Sequence, residues 1–459
     1  MVGVSLPNKV LPSWNKTMTT SLKKISIAVI AVSSLLLAIA SQSQTLSSLV
    51  QPSINLSNVR NMQLSNELDA IIQRMDERLR SDHTDYEAQL LKGMAHFQQG
   101  QRERAIAEIA DLSQRAPQFH LAHLIHADML SSPFTPISDI GQPGFQLDTS
   151  KHEQLDALRQ EVLMRWQANL HPIEASRIPI QLLNLNSKTQ SALVVDKTRH
   201  RIYVYERQGA DQPPRLVHDF YISTGRKQGN KISEGDLRTP EGIYFITSFI
   251  PDDKLPEKYG IGAFPTNYPN VFDQRQGKTG DGIWLHGTDR IYYSRPPLDS
   301  EGCVVLSNLD LDKIRHLIQP GITPMVITDK IEWLSESQWH ALRGELLTAI
   351  DNWRSDWESL DVDRYLAHYS DGFWSGRFNL QSWRQYKQQV IKGKTYQKVA
   401  LSDVSVFYYP KQASSGKEMA LIKFTQNYQS NNFQSETSKQ IYLDKEQGRW
   451  RIVYEGRDL

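Results

Sequence analysis

Two residues stand out as able to do chemistry together: Cys303, the single cysteine of a 459-residue chain, and His286, 17 positions before it. A lone cysteine cannot form an internal disulfide, so it is either a buried, inert side chain or a thiol kept for chemistry. Its surroundings favour chemistry. Cys303 lies in Ser300-Glu301-Gly302-Cys303-Val304-Val305, and His286 in Trp284-Leu285-His286-Gly287-Thr288. Nucleophilic cysteine catalysis needs a base for the thiol proton, a group that orients the base, and N–H donors for the acyl oxyanion. His286, after the strand Ile283–Leu285, supplies the base, and the Gly287 carbonyl can accept the other imidazole N–H. Gly302 permits a sharp turn that would aim its own N–H and that of Cys303 into the site. An unperturbed thiol titrates near about 8.5, so thiolate formation would depend on this pairing.

The elements that must hold this pair are strands. From Ser191 the apolar period becomes two, which predicts strands over Ala192–Asp196, Arg201–Tyr205, Val217–Ile222, Gly242–Ile246, Gly282–Leu285 and Pro324–Thr328. One helix is expected between Leu309 and Ile318. Upstream the pattern is helical. Tyr86 to Pro117 carries Gly93, Gly100, Ala105 and Pro117 at offsets resembling one tetratricopeptide unit, with small residues where two helices cross. A single unit must pack on a neighbour: another helix, a partner protein or a second protomer. His120, His123 and His126 share one helix face, but no carboxylate or cysteine completes a ligand set, so they read as a polar face and not a metal site. Residues 131–150 read as a loop. The stripe Leu155, Leu158, Val162, Trp166 and Leu170 predicts a helix over Lys151–Leu170 that packs on the domain that follows.

After Ile331, Leu342, Leu346, Ile350, Trp353, Trp357 and Leu360 mark a long amphipathic helix, and Tyr365, Leu366 and Tyr369 a shorter one. Strands follow at Val404–Tyr409, Ala420–Tyr428, Thr437–Asp444 and Trp450–Tyr454, an α+β plan. With Lys+Arg 52 against Asp+Glu 51, no overall field supports a nucleic-acid or membrane-surface role. At the N-terminus, Lys23-Lys24 precede an apolar run from Ile25 to Ala40 that ends in a small-x-small cleavage pattern before Ser41. Met18 would start a signal of ordinary proportions. The expectation is export to an oxidising extracytoplasmic compartment; an uncleaved anchor is the alternative, though the run is short against the about 20 residues a span needs. Residues 41–60, rich in Ser, Gln and Asn, are expected to be poorly ordered.

The stretch from about 190 to 328 resembles the L,D-transpeptidase (YkuD-type) catalytic domain. The resemblance rests on Ser223-Thr224-Gly225, Gly235-Asp236 with Thr239-Pro240-Glu241-Gly242, Trp284–Thr288, and Ser300–Cys303 with Ser307-Asn308. Glu301 stands where most members have histidine. The C-terminal region resembles the SnoaL-like cone, related to nuclear transport factor, which follows the catalytic domain in cell-shape-determining L,D-carboxypeptidases of helical bacteria. The implied organisation is multidomain: signal peptide 1–40, helical tetratricopeptide-like region with linker 41–180, mostly-β catalytic domain 181–330, and α+β cone 331–459.

The implied activity is cysteine acyl transfer on peptidoglycan tetrapeptide stems with release of D-alanine, giving 3–3 cross-links or protein attachment. The alternatives are L,D-carboxypeptidation to tripeptide stems and a catalytically silent peptidoglycan-binding module. Cys303 would be the nucleophile, His286 the proton acceptor and donor, Gly287 the orienting carbonyl, and Gly302 with Cys303 the oxyanion donors. Arg295, with Arg226 and Lys231 as weaker candidates, would bind a stem carboxylate. No cofactor is required, and the partner is the peptidoglycan stem peptide rather than nucleic acid.

Overall fold

The computed structural model describes residues 62–132 and 149–458, except 175, 412 and 415. The apolar N-terminal run, the stretch 41–60 and positions 133–148 of the expected loop lie outside the described residues. The first region is helical: α1 (Met62–Ser81), α2 (Tyr86–Gln98), α3 (Arg102–Arg115), α4 (His120–Ser131) and α5 (Thr149–Leu170). Asp85 caps α2 by accepting from the Ala88 N–H. α2 and α3 cross at Gly93, where an added Cβ would lie 2.5 Å from the Ile109 side chain. The apolar stripe of α5 packs on the domain that follows only in part. Leu158 and Val162 join the core of α2–α4, which also takes in Tyr293 and Leu309 of the next domain, and Trp166 and Leu170 pack against α1 and α2. The polar side of α5 meets the next domain as well, Glu161 through Ser294 and Arg165 through the Tyr221 ring.

Two short strands, β1 (Ile178–Pro179) and β2 (Leu182–Asn184), lead out of the helices. The catalytic-type region then contains β3 (Ser191–Asp196), β4 (Arg201–Glu206), β5 (Arg215–Tyr221), β6 (Thr224–Gly225), β7 (Gly242–Phe245), β8 (Ile250–Pro251), β9 (Gly262–Pro265), α6 (Val271–Arg275), β10 (Trp284–His286), β11 (Leu298–Ser300), β12 (Val304–Val305), α7 (Asn308–Ile314) and β13 (Pro324–Thr328). One sheet has the order β5-β4-β3-β13-β7, and a second the order β12-β10-β9-β8. Alternation divides the first sheet between two cores. Leu193, Val195, Ile202 and Val204 pack toward Phe264, Leu285 and Val304 of the second sheet. Ala192, Val194, Tyr203, Tyr205 and Val326 face the other way, into a core shared with the C-terminal domain.

That domain comprises β14 (Trp333–Leu334), α8 (Glu336–Glu358), α9 (Val362–Leu366), β15 (Tyr369–Ser375), β16 (Phe378–Asn379), α10 (Leu380–Ile391), β17 (Gln397–Tyr408), β18 (Met419–Ser430), β19 (Gln434–Glu446) and β20 (Arg449–Arg457). Its sheet runs β16-β15-β20-β19-β18-β17-β2, so β2, which precedes the catalytic-type region, completes the C-terminal sheet through Leu182↔Phe407 and Asn184↔Val406. A capping box of Ser335 and Gln338 starts α8. Trp339, Trp353, Trp357 and Tyr365 then fill the space under the sheet. Tyr369 is not helical: α9 stops at Leu366, and Tyr369 opens β15 with its hydroxyl 2.6 Å from the Glu455 carboxylate.

Candidate active site

β10 and β12 are parallel neighbours, with Leu285 opposite Val304 and His286 opposite Val305. This register places His286 at the end of one strand and Cys303 at the start of the next. The two residues line the same groove. His286 is 3% exposed, and its Nδ1 lies 2.6 Å from the Gly287 carbonyl oxygen. A carbonyl only accepts, so Nδ1 carries the proton and Nε2 is left as the acceptor. The edge of the imidazole meets the Tyr259 ring, centroids 4.8 Å apart. Gly287 has a second reason to be glycine: a Cβ there would sit 2.1 Å from Asn308 Oδ1. Asn308 Oδ1 accepts from the Ile261 and Thr288 N–H groups, and its Nδ2 donates to the Thr288 carbonyl at 2.7 Å. The Asn308 side chain thus pins the backbone just beyond His286.

Cys303 is half-buried and its thiol points to the Gly282 carbonyl, 3.3 Å away; no hydrogen bond joins it to His286. The turn before it is closed by Ser300, whose hydroxyl donates to the Cys303 carbonyl at 2.7 Å and accepts from the Gly302 N–H at 3.1 Å. Gly302 has φ +130°, and a Cβ would meet the Arg238 carbonyl at 2.8 Å. The Gly302 N–H, expected to face the site, is engaged instead by Ser300 Oγ, two residues back in the same turn. The Cys303 N–H has no hydrogen-bond partner among the described residues.

Burial sets the protonation of both groups. It lowers the His286 pKa to about 4 against the pull of the Gly287 carbonyl, and the Arg295 and Lys258 charges add to the lowering. Burial likewise raises the Cys303 thiol, opposed by the Trp284 N–H and by the Lys258 and Arg295 charges, while Glu301 adds to the rise. At neutral pH the pair is thiol and neutral imidazole, not thiolate and imidazolium. A reaction here needs proton transfer to accompany attack.

The groove has a volume of about 850 Å³ and two unlike walls. The catalytic-type region contributes Arg226, Lys258, Arg295 and Glu301; the helical region contributes His120 and Leu121 of α4 and Glu153, Leu158 and Glu161 of α5. Arg226 is exposed on the groove. Arg295 is held by its neighbour, with Nε 2.7 Å from Asp299 Oδ2 and Nη2 2.5 Å from the Asp299 carbonyl. Lys231 is not a groove residue. It is buried and donates to Asp236 and the Ser233 carbonyl, closing its own loop. His123 bonds the Pro117 carbonyl while His120 stacks edge-on with Tyr292. Tyr259 and the helical wall had no place in the site read from the sequence, and Asn308 entered only as part of the Ser307-Asn308 motif, without a role. Asn308 had a local signal in Ser307-Asn308 at a helix start; the wall had none, because it forms only when distant segments dock.

The L,D-transpeptidase catalytic domain (YkuD) family matches residues 190–327, and the Cds6 C-terminal NTF2-like domain family matches residues 345–456. No curated protein matches the chain. Among solved structures, Bd1075 of Bdellovibrio bacteriovorus is 32% identical, with a TM-score of 0.54, over 61% of this chain and 98% of Bd1075. The helical cell shape determining protein Pgp2 of Campylobacter jejuni is 27% identical, with a TM-score of 0.51, over 61% of this chain and 95% of Pgp2. With its paired strands carrying His286 and Cys303 and its NTF2-like domain behind them, this chain belongs to the L,D-transpeptidase (YkuD) family, in the form that carries a C-terminal Cds6-type domain.

Proposed function

We propose that the protein cleaves the L,D bond of tetrapeptide stems of peptidoglycan in the bacterial periplasm or cell envelope, through a thioester on Cys303. The observation that carries this reading is the convergence of His286, fixed as an Nε2 acceptor by Gly287, and the Cys303 thiol in one groove. Cys303 Sγ attacks the carbonyl at the L-centre of the diamino acid as His286 Nε2 takes the thiol proton. The Cys303 N–H stabilises the oxyanion, and the Gly302 N–H joins it only if it leaves Ser300 Oγ. Collapse of the tetrahedral intermediate breaks the C–N bond, and His286 returns the proton to the departing D-alanine amine. Arg226, and the guanidinium nitrogen of Arg295 not used by Asp299, offer cations to the stem carboxylates.

Water or the amine of a second stem then resolves the thioester. A groove of 850 Å³, walled on one side by the helices, falls within the about 300–1,000 Å³ that holds one ligand, which supports water and hence L,D-carboxypeptidation. Likeness to a protein named for cell shape points the same way. Cross-linking of a second stem is the other outcome of the same intermediate. Incubation with tetrapeptide muropeptides separates them by product mass: tripeptide monomers are expected, and 3–3 dimers would make the protein a transpeptidase. Neither product, with Cys303 reduced, would overturn the reading.

A further inference from the structure

Residues 62–170 lie outside both matched families, yet they build one wall of the groove. They also hold the segment that links His286 to Cys303. Tyr293 is buried in the core of the helical region, its ring 4.4 Å from Phe119 and 5.5 Å from Tyr86. Its backbone N–H donates to the Gln118 carbonyl at 3.0 Å. On either side, Tyr292 meets the His120 ring at 5.4 Å, and Ser294 Oγ donates to Glu161 Oε1 at 2.6 Å. The residue after this captured triplet is Arg295, whose charge acts on both His286 and Cys303. Its carbonyl accepts from the Tyr221 hydroxyl at 3.0 Å, and the Tyr221 ring is covered at 3.9 Å by Arg165, the ion-pair partner of Glu161.

We propose that the helical region is a working wall of the substrate site. Glu161 of α5 and Tyr293 of the loop are the positioning residues: they fix the loop 289–299, and with it Arg295, so that one stem peptide is gripped between that loop and α5. The proposal rests on the stem-peptide reading of the groove. A free loop must be ordered by the substrate, which weakens binding more than it slows the reaction of peptide already bound. A small alkylating reagent needs no grip, so its reaction with Cys303 is insensitive to the loop.

The test uses the full chain with Ser294→Ala, which removes one hydroxyl and leaves Glu161 paired with Arg165, and separately with Tyr293→Leu, which keeps the pocket apolar. KM for a tetrapeptide stem should rise ~5- to 10-fold, within the loss expected for one net hydrogen bond, while kcat stays within about twofold. Iodoacetamide should label Cys303 at the wild-type rate. An unchanged KM in both variants, or equal falls in kcat and labelling, overturns the proposal. Hydrogen exchange of amides 289–299 reads the same tether without turnover: faster exchange in the variants is expected, and unchanged protection overturns loop capture. A wild-type chain that leaves stem peptides intact refutes the proposed function instead, and the exchange result still decides the tether.

Discussion

The catalytic-type region is joined to its two neighbours by different physics. Toward the C-terminal domain it shares an apolar core: Val194, Tyr203, Tyr205 and Val326 pack with Phe407, Tyr409, Leu421 and Tyr442. Toward the helices it inserts one apolar anchor, Tyr293, and beside it presents a buried ionic cluster, in which Arg201 of β4 reaches Glu87 at 2.8 Å and Arg165 of α5 reaches the same carboxylate at 2.8 Å. Apolar burial is non-directional and stabilises wherever area is covered. Buried ion pairs contribute little net stability once desolvation is counted, but they are costly to break and fix orientation. The apolar joint lies on the sheet face turned away from the core under His286 and Cys303, while the ionic joint adjoins the groove through Arg165 and Glu161. The contrast assigns stability to one neighbour and geometry to the other.

Two truncations should separate these roles. Phe407→Ala is expected to lose about 3–5 kcal/mol of unfolding free energy in urea, with KM unchanged for the fraction that folds. Glu87→Ala leaves Arg201 and Arg165 buried with one partner fewer and should cost about 3–5 kcal/mol, this time with a raised KM. If both variants shift KM alike, the contrast fails. Acid should discriminate next. Arg201, Arg165 and Arg78 hold the Glu87 carboxyl well below the usual range despite burial. A carboxylate with a depressed folded pKa contributes fully above its unfolded value of about 4.3 and loses that contribution as pH falls below it. Protection of the amides at the helical joint, relative to their intrinsic exchange at each pH, should therefore fall below about pH 4, while the apolar joint stays protected.

The acid limb of activity offers a smaller effect. With His286 near about 4, turnover should persist at pH 5, where an ordinary histidine would already be charged; a limb at 6.5 would contradict the neutral-pair site. Smallest of all, Asn308→Ala should lose about 1–3 kcal/mol of stability and slow turnover by loosening the Thr288 and Ile261 backbone, with KM little changed.

What was legible in the sequence followed from local pattern. β3 and β13 are buried throughout and read as short apolar runs, and the glycines at 287 and 302 marked the backbone of the site. α10 was not legible, because among its residues only Trp383 and Lys387 are buried, while Leu380, Tyr386, Val390 and Ile391 are half-buried or exposed and give no core-facing stripe. Nor was the role of α5: its apolar stripe was visible, but that Glu161 would bond Ser294, 133 positions away, depends on docking. That Ser300 Oγ would engage the Gly302 N–H was not legible for a similar reason, since it depends on where the hydroxyl sits in the folded turn.

The central claim is that Cys303 carries the acyl group, and acid-quenched intact-mass measurement of the full chain mixed with tetrapeptide stems tests it most directly. An adduct equal to the stem less D-alanine is expected, located on Cys303 and absent from Cys303→Ala. Product formation by Cys303→Ala, or an adduct on any other residue, would contradict it.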